Sequence, residues 1–303
     1  MIKIIDMLEL RPYSEEEIYK ALIQAKMENK KVGIRGLGRH LRRELNCDLV
    51  ISTLNLNNFE IKGNKLLAEA GASVEKIREE ALSKDLILPT IYDGTIGGLL
   101  ALNEFSTLST AYGTPWDFSE SVDFITPLGK IRWRLVIGSQ GILGVITRAE
   151  MKLYKKPEKV FLYEKEIKDK EEFKERIKKL ISLKPLALLV EYDGSEKVFR
   201  LHSSYIAEHD LRGYIKDEGI PIISEESDKN SYVVEISDFV NDIISIINNV
   251  SPYYLYGIYG VNLIKVYVTD ESLLKEYKYY PKNQPHPLYY KFKRIFDFYN
   301  IFN

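Results

Sequence analysis

Three glycine-rich segments carry the chemistry this sequence can do. They are Arg35-Gly36-Leu37-Gly38-Arg39-His40, Gly94-Thr95-Ile96-Gly97-Gly98 and Gly138-Ser139-Gln140-Gly141-Ile142-Leu143-Gly144. Glycine tolerates φ > 0 and lets other atoms approach the backbone closely. Successive exposed N–H groups in such turns form anion-binding concavities. Three in one stretch point to a long, anionic, phosphate-containing ligand. One Gly-x-Gly alone is more often an ordinary turn, so the reading rests on their order and spacing. The first segment lacks the third glycine of the dinucleotide fingerprint, and none ends in Gly-Lys-Ser/Thr as a P-loop does.

Alternating helix and strand signals must position these loops. Ser14 and Glu17 form a capping box, and Ile18, Leu22 and Ala25 then share one helical face. Residues 31–35 read as a short strand running into the first loop, and 48–53 as another. Residues 59–61 and 65–70 read as a hairpin turning at Gly63-Asn64, and Ser73 caps a helix that turns Val74, Ile77 and Ala81 inward. A short helix over 98–103 follows the second loop, its N-terminus favourable to an anion. Residues 121–126 and 130–134 read as a second hairpin, and the third loop feeds a strand over 145–154. This is not the strict alternation of a doubly wound sheet. After a linker at 155–158, strands at 160–167, 186–192, 197–203, 232–236, 253–259 and 262–268 accompany helices after Asp169 and around Phe239. That order predicts a small antiparallel sheet with helices on one face. No internal repeat stands out. Residues 286–303 read as a helix and a short tail.

Bulk properties narrow the classes. The 303 residues suffice for two domains, and a net charge of −1 argues against a chain built mainly to bind nucleic acid. The single cysteine, Cys47, excludes an intrachain disulfide and a cysteine-ligated cluster, and reads as a small apolar filler. No apolar run reaches the roughly 18 residues of a membrane span, and the N-terminus is unlike a signal peptide. The expected location is cytoplasmic, with peripheral membrane attachment through a partner left open. Scarce glutamine beside abundant Lys, Glu, Ile and Tyr fits a thermophilic source.

Taken in order, the motifs resemble the FAD-binding domain of the vanillyl-alcohol oxidase and p-cresol methylhydroxylase (PCMH) superfamily. The matching pieces are Arg11-Pro12, Arg35-Gly36-Leu37-Gly38, Leu88-Pro89 ahead of Gly94-Thr95-Ile96-Gly97-Gly98, and Ala101-Leu102-Asn103. Tyr112-Gly113, Thr126-Pro127-Leu128-Gly129 and the run from Gly138 through Val145-Ile146-Thr147 complete the set. The C-terminal run from Phe292 to Asn303 resembles the segment that closes such proteins. The short length looks most like the FAD-binding subunit of glycolate oxidase and related D-2-hydroxyacid (D-lactate) dehydrogenases.

The resemblance implies an α+β protein. A two-subdomain PCMH-type FAD-binding fold over 1–156 would precede a smaller α+β, ferredoxin-like cap over 157–275, with 276–303 returning to the first domain. Non-covalent FAD is the implied cofactor. The amides of Gly36 to His40 and Gly94 to Gly98 would hold its pyrophosphate. Pro89, Asn103 and the loop bearing Gly138, Ser139, Gly141, Ile142, Gly144, Val145 and Ile146 would line the rest. The implied activity is oxidation of a small 2-hydroxy acid, with electrons passed to larger flavoprotein and iron–sulfur subunits. The chain departs from the family pattern at the bulky Arg39-His40 and in the short stretch between Gly129 and Gly138. Those departures support an alternative, a non-catalytic interaction subunit of such a complex. Reduction of an enolpyruvyl sugar nucleotide is a third reading, without a matching C-terminal motif.

Hydroxyacid oxidation needs a base for the hydroxyl proton and a cation for the carboxylate. His286, between two prolines, and Arg134, near the third loop, are the candidate catalytic side chains. His40 reads as a loop residue, His202 and His209 as a surface pair, and no metal site is expected. Tyr253, Tyr254, Tyr256 and Tyr259 read mainly as sheet filler.

Overall fold

Ser14 starts the first helix as its spacing predicts, its Oγ accepting the Glu17 N–H at 3.2 Å. The Glu17 carboxylate in turn accepts the Tyr13 N–H at 2.8 Å. The structure, a computed structural model, describes residues 8–42, 45–223 and 230–303. The segment 1–7, part of the N-terminus judged unlike a signal peptide, lies outside the described residues.

Strand β1 (Leu8–Leu10), helix α1 (Glu15–Met27), β2 (Val32–Arg35) and β3 (Leu49–Ser52) build a parallel three-stranded sheet in the order β1-β3-β2. Ile18, Leu22 and Ala25 of α1 pack with Val32, Ile51 and the C-terminal Ile301 and Phe302. Parallel β2 and β3 bury Val32, Leu49, Val50 and Ile51, as strands covered by a helix tend to, with Ser52 a buried polar residue at the end of β3.

A second layer follows. Strands β4 (Phe59–Lys62) and β5 (Lys65–Glu69) form the expected hairpin, and α2 (Val74–Ser83) is capped by Ser73 Oγ on Lys76 N–H at 3.3 Å. After β6 (Leu86–Ile87) comes α3 (Ile96–Leu102), starting two residues before the expected 98. Thr95 explains the shift: its Oγ1 accepts the Gly98 N–H at 3.3 Å and caps the helix ahead of the glycines. Two single turns, α4 (Ser109–Tyr112) and α5 (Pro115–Phe118), lead to β7 (Ser119–Thr126) and β8 (Gly129–Arg132). Strand β9 (Val145–Lys152) then completes an antiparallel sheet ordered β4-β5-β9-β7-β8. The expected long strand over 145–154 breaks at Leu153, so that β10 (Tyr154–Lys155) pairs with β6 instead. The two layers are the two α+β subdomains that the resemblance implies.

The remaining strands form one antiparallel sheet. They are β11 (Phe161–Ile167), β12 (Ala187–Asp193), β13 (Val198–Tyr205), β14 (Ile215–Glu218), β15 (Ser231–Glu235), β16 (Tyr254–Ile258), β17 (Leu263–Tyr267) and β18 (Tyr279–Pro281). Helix α6 (Lys170–Ser182) follows β11 and α7 (Phe239–Val250) follows β15. The order β14-β11-β13-β12-β16-β17-β15-β18 has a hidden symmetry. Each half runs strand, helix, strand, strand, strand. The halves meet through β12 and β16 in antiparallel register. Each half has the strand order of a ferredoxin-like sheet but lacks that fold's second helix. The small antiparallel sheet expected, in which no repeat stands out from the sequence, is instead an eight-stranded, doubled one. Strand β14 escaped the sequence reading because it is a polar, fully exposed edge, and β18 because it is short and ends in proline.

Contacts divide the chain into two units. One comprises residues up to Glu104, Pro115–Lys156 and Gln284–Asn303; the other comprises Phe105–Thr114 and Pro157–Asn283. Segment 105–114 thus groups with the second unit, and the returning segment starts at 284 rather than 276. Helix α8 (Leu288–Phe296) belongs to the first unit, where Tyr289 Oη donates to the Ile137 carbonyl just before the third glycine loop.

Candidate cofactor site

All three glycine loops meet in the first unit around one cleft of about 910 Å³, open solvent included. That is the size class of small-molecule and cofactor sites. Strand β2 delivers the first loop, the Thr95 cap fixes the second, and α8 braces the third. An ideal Cβ on Gly36 would stand 2.3 Å from Thr95 Oγ1, so the first two loops touch where only glycine fits. Gly38 (φ +77°) and Gly141 (φ +81°) are in the left-handed region.

Backbone N–H groups in this cleft divide into used and free. Ile96 N–H donates to Ala72 O at 3.0 Å, Gly97 N–H to Ala70 O at 2.7 Å, and Gly98 N–H to Thr95 Oγ1. Among the described residues, the amides of Gly36, Leu37, Gly38, Arg39 and His40 make no hydrogen bond, nor do those of Gly94 and Thr95. Of the amides expected to hold a pyrophosphate, those of Ile96, Gly97 and Gly98 are thus engaged within the protein, while those of the first loop and the start of the second are not.

The charged side chains here are already paired. Arg35 pairs with Glu9, Arg42 with Glu104, and both Arg39 and His40 with Asp93. The Arg39 and Asp93 side chains are more than half exposed, so their pairing is weak and readily exchanged. The His40 ring also lies 4.7 Å from that of Tyr92. Burial pushes the Tyr92 hydroxyl up to about 12, helped by the Asp93 charge, so it remains a protonated donor at neutral pH.

Of the residues singled out from sequence, Arg35, Gly36, Leu37, Gly38, Arg39, His40, Gly94, Thr95, Gly97, Gly98, Gly141, Gly144 and Ile146 line the cleft. Pro89, Ile96, Asn103, Gly138, Ser139, Ile142 and Val145 do not. Ile96, Ile142 and Val145 fill the core, and Asn103 ends α3 in the left-handed region while accepting the Trp116 N–H at 2.9 Å. Gly138 makes room for the Tyr289 hydroxyl, and Pro89 is buried. Tyr92, Arg42, Thr53, Ala101 and Asn303 also line the cleft. Ala101 lies in the Ala101-Leu102-Asn103 motif and Tyr92 two residues ahead of Gly94; sequence spacing does not reveal the others.

Neither catalytic candidate lines this cleft. Arg134 leaves the strand expected for it and donates to the carbonyls of Trp116 and Ser119, both at 3.1 Å. His286 is half-buried and accepts the Leu288 N–H at 3.1 Å, starting α8. His202 and His209 are not the surface pair expected. The His202 side chain is 13% exposed and lies between two glutamates, whereas His209 packs edge-on against Tyr205 on the other side of the sheet. No group of His, Cys, Asp and Glu among the described residues is arranged to hold a metal.

Comparisons with known proteins agree with this geometry. Residues 8–134 match the family model described as FAD binding domain. D-lactate dehydrogenase of Archaeoglobus fulgidus is 25% identical over 168 residues, 48% of this chain but 38% of that protein. The chain thus spans well under half of the curated relative it matches. Among solved structures, alkyldihydroxyacetonephosphate synthase has a TM-score of 0.68 at 14% identity, over 97% of this chain and 75% of the other. A variant of Physcomitrella patens BBE-like 1 has a TM-score of 0.68 at 12% identity, over 97% and 89%. At such identities the structural likeness shows the fold alone. Together with the family match it bears out the resemblance: the first unit carries an FAD-binding domain of the PCMH type, and FAD is its cofactor.

No helix among the described residues is long and apolar enough to cross a membrane.

Proposed function

We propose that this chain is an FAD-dependent oxidoreductase acting on a small 2-hydroxy acid such as D-lactate or glycolate, with FAD held non-covalently. It acts as a subunit that passes electrons to a larger flavoprotein and an iron–sulfur partner. The observation that carries the reading is the cleft, where free first-loop amides, side-chain-free second-loop glycines and apolar walls converge. FAD, when bound, supplies the hydride acceptor.

The chain's own residues do the rest. The amides of Gly36 to His40 hydrogen-bond phosphate oxygens without a lysine cluster. Arg39 and His40 can exchange Asp93 for a phosphate oxygen, since both pairs are partly exposed. Leu37, Leu41 and Ile146 supply apolar wall. The D-lactate dehydrogenase relative, 25% identical over 168 residues, supports the 2-hydroxy acid class. One cysteine cannot ligate an iron–sulfur cluster, which supports an external acceptor. The cytoplasm, or a membrane surface reached through those partners, is the proposed location.

Anaerobic mixing of the FAD-loaded chain with D-lactate or glycolate should bleach the flavin's visible absorbance. A yellow protein whose spectrum no 2-hydroxy acid changes would remove this substrate class. The competing reading is a non-catalytic interaction subunit, favoured by the neutralised cations around the cleft. Co-purification with a second flavoprotein, unaffected by blocking the cleft, would support it.

A further inference from the structure

Tyr92 lines the cofactor cleft and carries a hydroxyl without a partner in the protein. Its N–H donates to Thr90 Oγ1 at 3.1 Å, but its Oη makes no hydrogen bond among the described residues. The ring itself is anchored. It packs on the buried cluster that contains Ile96, Leu99 and Leu100, and the His40 ring lies 4.7 Å away, tilted by 40°. The second loop is shaped around this side chain. An ideal Cβ on Gly94 would lie 2.5 Å from Tyr92 Cε1, and one on Gly98 would lie 2.4 Å from Tyr92 Oη. Side-chain carbons do not approach other atoms so closely, so both glycines leave the phenol its place. The hydroxyl therefore sits beside Gly98, in the turn where the amides of Ile96, Gly97 and Gly98 are engaged within the protein.

We propose that Tyr92 is a cofactor-binding residue whose hydroxyl donates a hydrogen bond to a phosphate oxygen of FAD, supplying the donor that the engaged second-loop amides do not. The inference rests on FAD as the cofactor and not on the substrate class proposed above.

Three features suit the phenol to this task. A polar group on a cleft wall without a protein partner takes one from solvent or from the ligand, and a bond to an anionic oxygen is stronger than one to water. The hydroxyl stays protonated at neutral pH, since burial and the Asp93 charge outweigh the opposing charge of Arg42. The ring is held by packing and has only two rotatable bonds, so little freedom is lost on binding. Of the charged neighbours, Arg42 is paired with Glu104 and lines the cleft, whereas Asp93 holds Arg39 and His40 and is not among the lining residues. A ring that merely filled space would need no oxygen, yet it is the oxygen that the bare Gly98 accommodates.

Tyr92→Phe tests this, because it removes the oxygen and keeps the ring against His40 and the core. The oxygen has no partner within the described chain, so the variant should fold and melt as the parent does. Titration of the two full-length apoproteins with FAD should show the variant's affinity lower by about tenfold or more. With both chains saturated with FAD, phosphorus NMR should show a cofactor phosphate resonance displaced between parent and variant, while the visible spectrum of the flavin stays the same. Unchanged affinity would overturn the assignment. Tighter binding would overturn it too, and would show that the hydroxyl obstructs the cleft. Weaker binding with the phosphorus resonances unmoved would put the hydroxyl on another part of FAD and equally overturn it. No substrate enters these readouts, so their failure leaves the 2-hydroxy acid proposal standing. A yellow chain that no 2-hydroxy acid bleaches would leave the role of Tyr92 standing.

Discussion

Gly36→Val should cut FAD affinity by about a hundredfold or more, roughly 2.7 kcal/mol of binding free energy, while the chain remains folded. The added Cβ would lie 2.3 Å from Thr95 Oγ1 and 3.1 Å from Thr95 Cγ2. Thr95 is 2% exposed and has nowhere to retreat. Either the first loop moves away and takes its free amides with it, or Thr95 swings out and α3 loses its cap. Overpacking of this kind costs about 1–3 kcal/mol, and a lost cap about 1 kcal/mol. A titration of apoprotein with FAD reads the first effect and a thermal melt the second. Gly63→Ala is the control: Gly63 sits at φ +58° in an open turn with nothing within 4 Å of its Cβ, outside the cleft. It should lower stability by about 1 kcal/mol and leave FAD affinity unchanged. Normal FAD binding by Gly36→Val would mean that the first two loops do not form the cradle.

The largest stability effect is expected at Asp297. Its carboxylate is 2% exposed and accepts the Ile301 N–H at 2.8 Å, the Phe302 N–H at 3.0 Å and the Lys293 ammonium at 2.6 Å. These bonds fold the tail back, so that Ile301 and Phe302 join the α1 core and Phe302 bridges Val32 at the start of β2. Asp297→Ala strands two buried N–H groups and leaves the Lys293 ammonium only Asn300 Oδ1, at 2.7 Å, a loss of about 3–5 kcal/mol by analogy with broken buried pairs. Asp297→Asn keeps one acceptor and should recover part of it. FAD affinity should fall in the alanine variant as well, because Asn303, which lines the cleft, hangs from the same turn. Chemical denaturation and FAD titration of the two variants check both effects. An alanine variant as stable as the parent would show that the tail is held by its apolar side chains alone.

Much of this could be read from the sequence because local signals and tertiary packing agree. Caps at Ser14, Ser73 and Asp169, and apolar periodicity such as Ile18, Leu22 and Ala25, fix helices wherever they are packed. The glycine loops were legible because few residues tolerate their backbone. What lay hidden depends on partners distant in sequence. Which amides are free follows from Ala70 and Ala72 capturing those of Gly97 and Ile96, which no motif reveals. Asn303 reaches the cleft only through the Asp297 turn. His202 reads as a surface residue until β12 places Glu191 beside it. The doubled sheet was invisible because its halves share strand order and not residues: α6 is charged where α7 is largely apolar.

The most direct test is the visible spectrum of the chain after incubation with FAD and removal of unbound cofactor. The cleft as described predicts a yellow protein with close to one FAD per chain, and a colourless one for Gly36→Val. Wild-type protein that is folded, yet colourless and free of FAD after reconstitution, would contradict it.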